Sequence, residues 1–313
     1  MNKILRSAGI VCVLCVVAVF LFKDALIKTV MTQVGSEVLG APLEIKQFSW
    51  GIFTQRIVIK DLKIYDPPGF EKIAFVDVPQ VTVRYDIREF IRNNYHLPLI
   101  LVDLKEMVVV RNREGKLNVD ALKVLHPEKK EKLVIPPFQI DELKLSIGRV
   151  IYKNYFKRDN PEVLMYGVGL KDKSFKNLDS VQKLVTVILV QGMGPTAIKD
   201  AGVYAAATLM GAGFLPAAVL GAIIAQDSMA EDLPAGFDKV FALSEKFIKE
   251  RGLLKKSEKA TGSIVGQVDN HDLKFTLEKL PGGKTRLTVS AHRFLLPRRE
   301  FAGGVLYQIS QGL

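Results

Sequence analysis

Fifteen consecutive residues without a charge, Ala8 to Phe22, follow Lys3 and Arg6 at the start of the chain. Such a run has to leave water, and it decides on which side of a membrane everything after it folds. A spanning helix needs about 20 apolar residues, and Ile4 and Leu5 extend the apolar face toward that length. No small-x-small cleavage site follows, and "FKDALIK" places charges directly after the run. The pattern predicts an uncleaved signal anchor, with Ala8, Ile10, Val13, Val17, Phe20 and Phe22 in lipid. The basic residues stay in the cytoplasm and the body is exported. Cys12 and Cys15 form a C-x-x-C pattern inside the run, with no second pair and no nearby histidine. They read as small apolar residues of a lipid-facing helix. Leu26, Val30, Val34 and Val38 keep helical spacing, so the helix extends out of the membrane.

Composition agrees with a body that tolerates water and a segment that does not: mean hydropathy is positive although 25% of residues are charged. The net charge of +11 favours anionic partners, such as lipid headgroups or nucleic acid. The charge is spread out, and the dense stretches "HPEKKEKL" and "LLKKSEKA" lack aromatic residues. They read as solvated linkers, and a nucleic-acid partner is not expected.

From Ala41 to about Lys171 the texture is strand. "QVTVRYD" alternates Val81, Val83 and Tyr85 against polar neighbours, and "RIVIKDLKIYD" alternates with a slip of phase near Lys60–Asp61. "DLKIY", "DLKEMVV" and "DELKLSIG" recur at Asp61, Asp103 and Asp141. They suggest one supersecondary unit used several times, with chance similarity as the alternative. "REGK" predicts a hairpin tip in which Gly115 supplies the permissive backbone and Leu117 and Val119 start the next strand.

"LDSVQKLVTVIL" then predicts a helix, followed by an uncharged Ala/Gly-rich stretch at 201–225 with Pro216 in its middle. That stretch reads as a buried or interfacial helical hairpin, against the alternatives of a second membrane span or a flexible segment. From Asp238 the order is an amphipathic helix ending at Gly252, three strands, and a closing helix. Catalytic signatures are missing: no G-K-[ST], no G-x-S-x-G, and no ligand-spaced histidines. Asp269, His271 and Asp272 cluster in "VDNHDLK", where a solvated turn is the reading.

Four stretches in order carry a resemblance: "LGAPLEIKQFSWGIFTQRIVIKDLKIYDPPGF", "VDVPQVTVRYDI", "VVVRNREGKLNVDAL" and "IDELKLSIGRVIYKN". Behind a single anchor, they resemble the AsmA-like family of bacterial envelope proteins, one of the groove-forming lipid-transfer groups. The similarity covers about residues 1–170; the matching positions are Gly40 to Pro42, Leu62 to Phe70, Gly115 to Asn118 and Ile140 to Val150. The final module is similar to a small uncharacterised helix-sheet-helix envelope domain. The resemblance implies an inner-membrane anchor, a periplasmic body, a curved sheet with an apolar inner face, and lipid handling. Long members build a groove across the periplasm, whereas about ten strands at about 4.8 Å reach only roughly 50 Å. This chain alone does not bridge two membranes.

The expected fold is α+β. Its parts are a transmembrane helix and extension (1–39), a curved antiparallel β-rich domain with a groove (40–171), a helical Ala/Gly-rich segment (172–236) and an α-βββ-α module (237–313). Ile57, Ile59, Val81, Val83, Val108 and Val110 are the candidate groove lining, although a filled core explains the same alternation. The expected function is non-enzymatic: binding or transfer of phospholipid or another envelope lipid, in envelope or outer-membrane lipid homeostasis. The alternative is a structural or assembly factor of the envelope, working with protein partners and no ligand. No cofactor, metal or catalytic residue is expected.

Overall fold

A computed structural model describes residues 23–126, 136–196, 198, 200–209 and 227–313. The expected anchor residues Ala8, Ile10, Val13, Val17, Phe20 and Phe22 lie outside the described residues, as does most of the Ala/Gly stretch. Among the described residues no helix is long and apolar enough to cross a membrane. The architecture is α+β, built on two six-stranded sheets.

Helix α1 (residues 23–39) leads into the first sheet. The strands are β1 (Leu43–Gly51), β2 (Arg56–Tyr65), β3 (Ala74–Arg84), β4 (Tyr95–Arg111), β5 (Phe138–Asn154) and β6 (Glu162–Leu178), in sequential order, with the short helix α2 (Ile87–Ile91) between β3 and β4. β6 therefore runs on past residue 171, where the strand texture was expected to end. The sheet is not purely antiparallel. β4 and β5 pair in parallel from Tyr95↔Phe138 to Arg111↔Asn154. A parallel pair needs a crossover of a dozen or more residues, and residues 112–137 supply it. The crossover drives Leu117, Val119, Leu122, Val124 and Leu125 into the core. Gly115 turns with φ +86°, as expected. The strand expected after it is absent: a single bridge, Arg111↔Leu117, is followed by two short 3₁₀ turns. The recurring Asp-Leu-Lys stretches fall inside β2, β4 and β5, which all run in one direction. The repeat marks a strand rather than a larger unit.

A crease crosses the whole sheet. Asp61 has φ +51° and lies opposite Pro79, where β2 and β3 skip a pair; proline has no N–H to give the ladder. Gly148 lies beside Lys105, and a Cβ there would sit 2.6 Å from the Lys105 carbonyl oxygen. Asp172 in β6 also has positive φ. Along this line every strand changes which alternate residues face which side. Leu62, Val76, Val78, Met107 and Val109 face the first core beyond the crease, and Val81, Val83, Ile100 and Val102 face it before the crease. The phase slip read near Lys60–Asp61 is one strand's share of the crease.

The first core lies between the sheet and helices α1, α3 (Val181–Met193) and α4 (Gly202–Leu209). Val34, Val38 and Leu39 of α1 join it. α1 also covers the free edge of β1. Ser36 Oγ accepts from Leu43 N, Lys28 Nζ donates to Lys46 O, Asp24 Oδ1 accepts from Trp50 N, and Lys23 Nζ donates to Trp50 O. An edge strand left with open main-chain groups invites pairing with another chain.

The second sheet belongs to the final module: β7 (Ser228–Leu233), α5 (Phe237–Arg251), β8 (Gly252–Glu258), β9 (Ser263–Val268), β10 (His271–Leu280), β11 (Lys284–Arg293), β12 (Leu296–Pro297) and α6 (Arg299–Gln311). The three expected strands are β9 to β11, and both helices are in place. The α-βββ-α order is too short, however. β7 pairs with β11 from ahead of α5, and "LLKKSE", expected as linker, forms edge strand β8. Its lysines mark an exposed edge.

The module packs on the opposite face of the first sheet. Val108, Val110, Ile151, Val163 and Met165 share a second core with Phe301, Val305 and Leu306 of α6 and with Phe275 and Val289. Gly303 and Gly304 make this approach possible: a Cβ on Gly304 would lie 1.8 Å from the Val163 carbonyl oxygen.

Candidate functional site

The near end of the first sheet is the end where Lys23, the first described residue of α1, meets Trp50. The β1–β2 turn and the β3–α2–β4 corner meet there. Trp50 Nε1 donates to the Tyr85 hydroxyl at 2.7 Å, and Tyr85 donates to Gly51 O at 3.2 Å. Phe90 stands edge-on to Tyr85 and to Tyr95, with centroids 6.1 and 5.0 Å apart. Asp86 caps α2 by accepting from Arg88 N and Glu89 N, which sets the corner. Three apolar side chains point into solvent from this framework: Phe53 is 90% exposed, Ile91 75% and Phe90 43%.

Basic residues ring the same end. Arg56 and Arg84 are direct cross-strand partners, both are exposed, and among the described residues neither has a carboxylate within ion-pair distance. Like charges placed opposite each other are destabilising without a counter-ion. Arg88 is exposed on α2. Aromatic side chains interleaved with arginines, at the point where the chain comes from a 15-residue apolar run, have the composition of a headgroup-level surface.

The six candidate groove residues do not share one face. Ile57 pairs with Val83 and Ile59 with Val81, on the helix-covered side just above the near end. Ile59 is buried, while Ile57, Val81 and Val83 are partly exposed. Val108 and Val110 face the other way and are sealed under the final module. The cause is the crease. In β4 the even positions Ile100, Val102 and Leu104 face the helices before it, and the odd positions Met107 and Val109 do so after it. The set reduces to Ile57, Ile59, Val81 and Val83.

The far end holds two polar clusters. Asn118 is fully buried; its Nδ2 donates to Asp66 Oδ1 at 2.6 Å and Val108 O at 2.9 Å, and its Oδ1 accepts from Val110 N and Val119 N. Among the described residues Asp66 Oδ2 has no hydrogen-bond partner. Burial pushes the Asp66 carboxyl up to about 6, against the opposing effect of the Asn118 hydrogen bond. At the surface beside it, Arg111 Nη2 holds both oxygens of Asp200 and its Nε donates to the Tyr152 hydroxyl. The Arg111 hydrogen bond holds Asp200 below the usual carboxylate range, and burial raises Asp120, which accepts from Gly202 N. Arg111, Asp120 and Asp200 line a cleft of about 260 Å³ with Phe70 and Leu117. Arg111 and Asp200 pair with each other and Asp120 accepts the Gly202 N–H, so the arrangement is a clasp between the start of α4 and the crossover.

His271 departs from the solvated turn expected of it. Asp269 and Asn270 make the turn with positive φ, but His271 is 4% exposed and stacks on Phe301 at 3.9 Å; burial lowers its pKa. Among the described residues no group of three or more His, Cys, Asp or Glu is placed to hold a metal. No family model matches the chain, and no curated protein matches it. The aromatic near end was missed in the sequence because its members come from three separate stretches. The signal available was the pair of like-charged strand ends, Arg56 and Arg84, flanking apolar turns.

Proposed function

We propose that the chain is a membrane-anchored envelope protein that receives a lipid acyl chain on the near half of its first sheet, between α1 and α3. The observation that carries this reading is the coincidence, at one end, of the anchor-proximal helix, the exposed Phe53, Phe90 and Ile91, the unmatched Arg56 and Arg84, and the partly exposed Ile57, Val81 and Val83. Arginines at headgroup level complement lipid phosphate, and the valine and isoleucine face above them offers an apolar path out of the bilayer. The resemblance of residues 1–170 to AsmA-like proteins supports the same assignment. In it the anchor lies in the inner membrane, the body lies in the periplasm, and the role is lipid handling without catalysis. The sealed position of Val108 and Val110 limits the lipid path to the near half.

A second reading, a ligand-free scaffold for envelope protein partners, is favoured by how fully α3 and the crossover fill the far half of the same face. Native mass spectrometry of the detergent-purified full chain separates the two. Phospholipid at fixed stoichiometry, lost in Ile57→Asp/Val83→Asp, is the expected result. A lipid-free chain, or lipid retained in that variant, would overturn the lipid reading and leave the scaffold.

A further inference from the structure

The hairpin joining β11 to β12 carries an arrangement that the near-end reading does not use. His292 pairs with Pro297 and Arg293 with Leu296, so Phe294 and Leu295 are the two central residues of a two-residue turn. Their φ values are +48° and +68°. A turn with both central residues at positive φ selects Asn, Asp and Gly. Phe and Leu are strained there, and strain of this kind persists where it serves a site. These two side chains and the next one stand in solvent: Phe294 is 83% exposed, Leu295 93% and Leu296 67%.

The base of this finger is stiff. Arg298 N donates to Ala291 O at 2.9 Å, His292 Nε2 lies 3.2 Å from Asp227 Oδ2, and α6 begins one residue after Arg298, held by the Phe301–His271 stack. Residues 293 to 299 are exposed throughout and include Arg293, Arg298 and Arg299 but no acidic residue. The Arg293 guanidinium lies 5.9 Å from the Phe294 ring centroid.

We infer that the Phe294–Leu295–Leu296 tip is a wedge that inserts into the interface of a bilayer carrying anionic phospholipid, with Arg293, Arg298 and Arg299 on the phosphates. A bilayer fits better than a protein surface. Three side chains on a narrow hairpin fall far short of the roughly 800 Å² that each partner buries in a stable interface. They match the shallow apolar insertion with a cationic rim used by interfacial segments. This contact is separate from the lipid path on the first sheet and stands whether or not that path binds lipid.

The test uses the full chain with Cys12→Ser and Cys15→Ser and one environment-sensitive dye on Leu296→Cys. It is held in nanodiscs of phosphatidylcholine alone or with about a third phosphatidylglycerol. Phosphatidylglycerol vesicles are added to the first. A blue-shifted, brighter emission is expected with phosphatidylglycerol in either setting, whichever bilayer the tip meets. Phe294→Asn/Leu295→Gly installs residues the turn prefers; it keeps or raises the melting temperature and loses the response. Arg298→Gln/Arg299→Gln weakens the apparent affinity about thirtyfold, because two cations leave the phosphate layer. An emission blind to phosphatidylglycerol in both settings overturns the inference. So does a full response in the Asn-Gly variant. A blue shift in phosphatidylcholine that grows with protein concentration assigns the tip to a second copy of the chain and also overturns it.

Discussion

Replacing Asn118 by alanine removes the tie between the crossover and β4 in one step. The side chain makes four hydrogen bonds, to Asp66, Val108 O, Val110 N and Val119 N, and is fully buried. At about 1 kcal/mol net each, their loss costs about 4 kcal/mol, and the partners left buried without a bond bring the total to about 4–6 kcal/mol. At a slope of about 2–3 kcal/mol per molar urea, the midpoint falls by about 2 M. Trp50, the one tryptophan, reports at the opposite end of the same sheet, so its emission follows the whole unit rather than the local break. The effect also carries a pH signature. Asp66 has its folded pKa raised, so it contributes stability at low pH that is lost as pH rises from its ordinary value through the folded one. The Asn118 bond lowers that folded pKa; without it the loss extends to higher pH. The variant's deficit is therefore larger at pH 8 than at pH 5. A midpoint shift under about 0.5 M, or a deficit independent of pH, would refute the reasoning.

Asp66→Asn isolates the carboxylate. As pH rises from 3.8 to about 6, Asp66 alone takes roughly 3 kcal/mol from the wild-type fold, and the variant's urea midpoint lacks that fall; an unchanged slope would exonerate Asp66. Gly304→Ala drives a methyl into the Val163 carbonyl oxygen, whereas Gly167→Ala in β6 meets nothing within 4 Å. The first is expected to lose at least about 2 kcal/mol and to expose α6 to proteolysis, while the second stays within about 1 kcal/mol of wild type in urea titration. Asp24→Ala opens the Trp50 N–H at the edge of β1; it costs about 1 kcal/mol and raises the aggregation rate in light scattering at constant protein concentration.

The fold was legible where one residue decides a local conformation. Gly115, the phase slip at Asp61 and the amphipathic α5 are all of this kind, because backbone freedom and periodicity act over a few residues. The parallel pairing of β4 with β5 was not legible. It is set by which strand reaches the empty edge of β4, a contact between residues about 43 positions apart. The near-continuous apolar run at Met107–Val110 was the available hint, since strands buried on both faces lose their alternation. For the same reason the six candidate lining residues fall on two faces of the sheet, four on one and two on the other. Ile57, Ile59, Val81 and Val83 lie on one side of the crease, and Val108 and Val110 lie beyond it, where an odd-even rule counted from Val81 no longer applies. The Gly303–Gly304 pair was visible in the sequence, but only the approach of Val163 gives it meaning.

The parallel seam has a consequence in time. Strands β1 to β4 join through short local connections and can zip together as soon as they are made. β4 then waits, its second edge open, until the crossover is complete and β5 and β6 arrive as a hairpin of their own. The seam is thus the one slow, long-range event in the first sheet, and it divides the sheet into two pieces that each form locally. A chain cut between residues 126 and 136 leaves both pieces with their internal pairings intact. Two fragments produced together in one cell would then find each other along a single edge, with a rate set by concentration rather than by loop closure.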